Sequence, residues 1–181
     1  MKYAILAAGL FAVTLTPCTT FAGDHTVTLG YSHIKASNLP ATKGATVKYR
    51  YEWDSPISVI GSLTYARGDD EQRYGYDNTA YAKDKVTYAS LMMGPAWRVN
   101  DYVSLYGLVG VARAKEQFSY KETYYGSRVA YNATATETKA AWGLGVQINP
   151  WENVAIDIGY EGAKFEQVKA NGFNVGVGYR F

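Results

Sequence analysis

Few residues of this chain could do acid–base or nucleophilic chemistry. It has two histidines, His25 and His33, and one cysteine, Cys18. Ser32 precedes His33 directly, and a serine beside a histidine is the beginning of an acyl-transfer site. Successive residues of a strand point to opposite faces, so these two cannot bond directly. A lipid-modifying enzyme built on them is therefore set aside in favour of an interfacial histidine. Asp69-Asp70 reads as a solvated pair, not a metal or acid–base site. One cysteine excludes an internal disulfide framework and a cysteine-based zinc site. The chain reads as non-enzymatic, with no cofactor and no metal. A formal charge of +2 is too small to argue for a nucleic-acid partner.

What remains is binding chemistry, in two polar segments. The first holds Arg67-Gly68-Asp69, an integrin-type tripeptide, followed by Arg73, Tyr76, Lys83 and Lys85. The second holds Phe118, Tyr120, Lys121, Tyr124 and Arg128. Aromatic rings beside cations suit a protein- or glycan-binding surface, since rings bury area at small entropic cost. The plainer alternative is that Arg67 finishes a strand and that these segments extend strands above a membrane. Their Lys and Arg would then pair with lipopolysaccharide phosphates.

The elements that position these residues begin after a leader. Lys2 is the only charge before Asp24, and the apolar stretch Ala4–Val13 is followed by Thr20-Phe21-Ala22. That order predicts a secretory signal peptide over residues 1–22, cut after Ala22, and a single domain over residues 23–181.

From Gly44 onward the pattern has period two. Val47, Tyr49, Tyr51 and Trp53 share one face; Thr46, Lys48, Arg50 and Glu52 share the other. That is a strand, and seven further segments alternate similarly. Tight turns at Asp54-Ser55-Pro56, Asn100-Asp101 and Asn149–Glu152 carry turn-forming residues. They alternate with polar stretches near residues 35–43, 67–85, 114–137 and 163–171, which are expected to be long extracellular loops. Short connections at one end and long ones at the other describe an up-and-down meander.

Such a meander closes into a barrel with either an apolar or a polar interior. The polar faces carry Lys48, Arg50, Glu52, Arg98, Lys139, Asp157, Glu161 and Arg180 among many glycines and serines. Small residues mixed with opposite charges suit a crowded, paired interior. Trp53, Trp97, Tyr179 and Phe181 end apolar faces on the short-turn side, and Tyr65, Tyr160 and Phe173 lie toward the other side, as membrane-interface belts require. The expected fold is all-β: an eight-stranded antiparallel transmembrane barrel, apolar outside, with a filled polar interior. Eight strands leave a lumen that side chains just fill. The cluster is therefore read as a satisfied polar core rather than an ion path.

The stretches Lys48–Glu52 and Val59–Ser62, Met93–Asp101, Ser104–Gly107, Gly145–Pro150, Glu152–Asp157 and Gly176–Phe181 resemble the strands of the OmpX/Ail/PagC/Lom outer-membrane proteins. The resemblance covers nearly all strands and fails in the loops. It implies a Gram-negative outer-membrane location, with lipid and lipopolysaccharide as surroundings. It implies that the terminal Phe181 is read by the barrel-assembly machinery. It further implies adhesion, invasion or serum resistance through loops that bind host matrix or complement-regulatory proteins. The alternative is a structural envelope protein without a specific host ligand.

Overall fold

The structure, a computed structural model, describes residues 23–36, 41–74, 80–124, 127–165 and 169–181. For Ala36, Asp70–Tyr74, Ala80–Asp84, Phe118, Tyr120–Tyr124 and Ser127–Asn132 it describes the backbone alone. The expected leader, residues 1–22, lies outside the described residues.

Eight strands follow in order: β1 (Asp24–Ala36), β2 (Thr42–Glu52), β3 (Ile57–Tyr74), β4 (Ala80–Arg98), β5 (Val103–Tyr124), β6 (Ser127–Trp151), β7 (Val154–Lys164) and β8 (Lys169–Arg180). Each pairs antiparallel with the next, and β1 pairs with β8, so the sheet closes into a barrel. Closure leaves no unpaired edge within a bilayer, where water cannot satisfy backbone groups.

The polarity is inverted, as the alternation requires. Lys48, Arg50, Asp157 and Glu161 are almost fully buried, whereas Leu144 is 54% and Val177 66% exposed. Trp53, Trp97, Tyr65, Tyr160, Phe173, Tyr179 and Phe181 all stand on the outer wall. Ile60 and Leu108, which break the polar pattern of their faces, point inward and join Met92, Tyr88 and Tyr106 in an apolar cluster inside the barrel. Toward the end opposite the tight turns this cluster adds Ile34, Phe165 and a set of alanines.

The connections differ from the expected long loops. Strand pairing continues through most of residues 67–85 and 114–137: β3 and β4 pair out to Tyr74↔Ala80, and β5 and β6 out to Tyr124↔Ser127. Near 35–43 and 163–171 the connections are short, since Ile34 pairs with Thr42 and Lys164 with Lys169. The physical reason is that ladder hydrogen bonds do not need an apolar face. Beyond the hydrocarbon both faces are wet, so the polarity contrast ends although the strand does not. Tyr, Thr, Phe and Val still favour the extended backbone there.

Candidate functional site

Two groups of side chains could act: the network inside the barrel and the charged surface outside it. Inside, Lys48 of β2 forms an ion pair with Asp157 of β7. Its Nζ also donates to the Tyr106 hydroxyl at 2.6 Å and to Asn174 Oδ1 at 2.5 Å. The Tyr106 hydroxyl donates to Asp157 Oδ1 at 3.0 Å. Glu161 accepts hydrogen bonds from Thr64 Oγ1 at 3.1 Å and Ser90 Oγ at 3.4 Å. The gap beside Lys48, lined by Ser62, Met92, Tyr106, Glu161 and Asn174, holds no space for a water molecule.

Toward the tight turns, Glu52 gathers three guanidinium groups. Arg50 Nη2 and Arg98 Nη2 lie 2.7 Å and 2.5 Å from its Oε1, and Arg180 Nε lies 3.2 Å from its Oε2. Arg50 also donates to Ser58 Oγ and Gln147 Oε1, both at 2.8 Å. Arg180 forms a further ion pair with Asp24. One oxygen of each buried carboxylate thus meets a donor, as charges taken out of water require, while Asp157 Oδ2 and Glu161 Oε1 have no hydrogen-bond partner among the described residues.

Seven of the eight expected interior residues are in these two layers, and Lys139 is the exception. It lies on the inward-facing side of β6 but above the filled lumen, where it is only partly buried and pairs with Glu137 at 3.1 Å. Strand parity gives a residue's face and says nothing of its height. Gln147 and Asn174, on the polar faces of β6 and β8, complete the layers together with Tyr106 and Asp24. Tyr106 could have been found by parity with Ser104 and Gly110, at the cost of reading a tyrosine as interior rather than as belt.

Outside, the expected binding residues divide. Arg67, Gly68 and Asp69 lie within β3, in register with Thr87, Val86 and Lys85. Gly68 faces inward, where a Cβ would come within 2.9 Å of the Ala41 carbonyl. Arg67 Nε and Asp69 Oδ1 pair with each other at 3.5 Å. The tripeptide is thus held in a strand rather than presented at a loop apex, and Arg67 ends the apolar outer face of β3. Tyr76 lies outside the described residues. Arg73, Lys83, Phe118, Tyr120, Lys121, Tyr124 and Arg128 are placed by their backbones on β3–β6, and their side chains lie outside what is described. Ser32 is buried on the inner face and His33 sits on the outer one, so the wall separates them.

A larger cationic pattern surrounds these residues. On seven strands the first or second outward position beyond the apolar band is Lys or Arg: Lys35, Lys43, Arg67, Lys85, Arg113 with Lys115, Lys164 and Lys169. On β6 the corresponding outward positions are Thr138, Thr136 and Thr134, all exposed. Over β3–β6 the register aligns Arg67, Thr87, Lys115 and Thr136 in one row, and Asp69, Lys85, Gln117 and Thr134 in the next. Adjacent strands lie about 4.8 Å apart, so cations and hydroxyls form a grid, interrupted at its β3 edge by Asp69, which pairs with Arg67, and on β5 by Gln117. The signal was present in the sequence as the first charge closing each alternating run.

Known proteins share this architecture. The family model described as "Enterobacterial Ail/Lom protein" matches residues 1–181. The virulence membrane protein PagC of Salmonella typhimurium is 40% identical, with all of both chains covered. The attachment invasion locus protein of Yersinia enterocolitica is 36% identical over the same full coverage. The crystal structure of Ail from Yersinia pestis in complex with the heparin analogue sucrose octasulfate superposes with a TM-score of 0.73 at 31% identity, covering 89% of this chain and 100% of that one. With a closed barrel, an inverted polarity and this end-to-end likeness, the chain belongs to the enterobacterial Ail/Lom family and is a multi-pass protein of the bacterial outer membrane.

Proposed function

We propose that this protein attaches its bacterium to polyanionic glycans of a host surface, through the outward face of the β3–β6 sheet above the membrane. The observation that carries the reading is the grid in which Arg67, Lys85, Arg113 and Lys115 alternate with threonines across four paired strands. Rigid strands fix the backbone spacing of the cations before binding, so no loop ordering remains to oppose association and only the side chains must be ordered. Sulfate and phosphate oxygens accept charge-assisted hydrogen bonds from such groups. Ail of Yersinia pestis, solved with a heparin analogue, offers a relative with matching chemistry. Arg73, Tyr76, Lys83, Phe118, Tyr120, Lys121, Tyr124 and Arg128 would widen the same face upward and supply contacts to host matrix or complement-regulatory proteins, and so serum resistance. The signal peptide would deliver the chain to the assembly machinery, with Phe181 as its recognition residue, and the lumen network would act as a plug.

A second reading is favoured by Lys35, Lys43, Lys164 and Lys169. They continue the cations around strands that carry no raised sheet, at the level where lipopolysaccharide phosphates sit. On this reading the protein serves the envelope without a host ligand. Charge reversal separates the two. Arg113→Glu with Lys115→Glu is expected to abolish retention on immobilised heparin and to lower attachment to host cells, while Lys164→Glu with Lys169→Glu leaves both unchanged. Equal behaviour of the two double variants would refute a site on the raised sheet.

A further inference from the structure

We infer that the two histidines are staples of the barrel seam at opposite ends of the apolar band, His25 stacking on Phe181 just past the last strand and His33 meeting Phe173 of that strand at a tilt. β1 and β8 are neighbours in space and the most distant strands in sequence. Their pairing, from Thr26↔Arg180 to Ala36↔Ala170, closes the longest loop in the molecule and gains no help from a connecting turn. Every other neighbouring pair is joined by a hairpin.

At the tight-turn end, the His25 ring stacks on Phe181 at 5.7 Å between centroids and 16° between planes. It also meets Tyr51 of β2 at 5.1 Å, and its Nδ1 lies 2.7 Å from the Tyr49 hydroxyl. The backbones of His25 and Phe181 exchange two hydrogen bonds, both at 2.9 Å. One residue before each of these, on the inner face, Asp24 pairs with Arg180. At the opposite end of the seam, His33 is the direct cross-strand partner of Phe173, with ring centroids 5.4 Å apart. Both imidazoles stand on the outer face of β1; Phe173 stands on the outer face of β8, and Phe181 follows that strand directly and is exposed on the same wall.

The chemistry suits the place. An imidazole has a flat face for a ring and a polar edge for the interface, so it can sit at either boundary of the hydrocarbon and still bridge two strands. Cross-strand aromatic pairs add stability beyond the area they bury. Placed at both ends of the one seam without a hairpin, they oppose fraying from either side. The ends of this seam then open no more readily than those of a hairpin-linked pair of strands. This assignment does not depend on any host ligand.

The test uses the full folded barrel in lipid bilayers and amide hydrogen exchange, with β4–β5 as the internal reference. His25→Ala and His33→Ala should each speed exchange of the β1–β8 amides nearest the lost ring by about three- to tenfold, with β4–β5 unchanged. The double variant should frustrate seam protection at both ends and lower the temperature of the electrophoretic shift that accompanies barrel opening. His25→Phe, which keeps a ring without the polar edge, should restore protection. Trp97→Ala, which removes a wall aromatic away from the seam, should leave the β1–β8 amides alone. Wild-type seam exchange in both single variants would overturn the assignment. So would equal acceleration of β4–β5 in the alanine variants, or seam acceleration in Trp97→Ala.

Discussion

The barrel has a low half and a raised half. β7, β8, β1 and β2 contain 11, 12, 13 and 11 residues; β3, β4, β5 and β6 contain 18, 19, 22 and 25. Within the apolar band the halves follow one rule, because lipid forces every backbone group to be paired and every outward side chain to be apolar. Beyond the band that constraint is lifted. The low half stops soon after its ring of lysines, while the raised half continues as an open four-stranded sheet. Its two edges are unlike. The β3 edge continues into Asp69, Asp70 and Glu71, and charge discourages pairing with other strands. On β6 the ladder to β7 stops at Ala141↔Ala163, and the strand beyond is rich in exposed threonine. Stability therefore belongs to the shared band, and freedom to interact belongs to the raised half.

The largest effect should come from breaking the shared band. Asp157→Ala leaves Lys48 buried with its carboxylate partner gone, and Tyr106 loses an acceptor as well. Removing one partner of a buried ion pair costs about 3–5 kcal/mol, which should appear as a lower denaturant midpoint in reversible unfolding from lipid vesicles. Shortening the β5–β6 hairpin above Lys115 and Thr136 should leave that midpoint in place and, by removing the contacts above the cationic grid, lower host-cell attachment. A midpoint that fell as far for the shortened hairpin as for Asp157→Ala would erase the distinction between the halves.

A smaller effect should sharpen the contrast between the edges. Thr134→Lys with Thr136→Lys puts on β6 the kind of guard that β3 already has. Exposed sites of this type change stability by no more than about 0.5 kcal/mol. The expected outcome is unchanged unfolding together with less self-association of the purified barrel at high concentration, read by light scattering. Unaltered self-association would mean that the β6 edge is already covered.

The two halves were not equally legible in the sequence. In the band, one alternating run such as Val47-Lys48-Tyr49-Arg50 fixes which side chains meet lipid and which meet the lumen. It does so because the two solvents differ so strongly. Partners are another matter. Lys48 and Asp157 meet across the lumen, far apart in sequence, and parity carries no information about register between distant strands. Tyr106 was hidden because tyrosine is also a belt residue, and its interior role appears only through the partners of its hydroxyl. Above the band the two faces share one solvent, so the stretch around Phe118 and Tyr120 carries no alternation and reads as a loop, although the backbone there is a strand. The grid of Arg113 and Lys115 with their threonine neighbours needed the register of four strands before it became a surface.

Lys139 gives the smallest effect and the finest test of the boundary between band and raised half. By face it belongs with Lys48, but by height it stands above the filled lumen, half in solvent and beside Glu137. Pairs near water contribute about 0–1 kcal/mol, since solvent screens them and ordering two side chains costs entropy. Lys139→Ala should therefore shift the unfolding midpoint far less than Lys48→Ala, which strands Asp157 in the lumen, and its effect should shrink in added salt. If Lys139→Ala matched Lys48→Ala and resisted salt, the ionic core would extend past the apolar band, and the height at which the two halves part would lie a full turn of alternation further out.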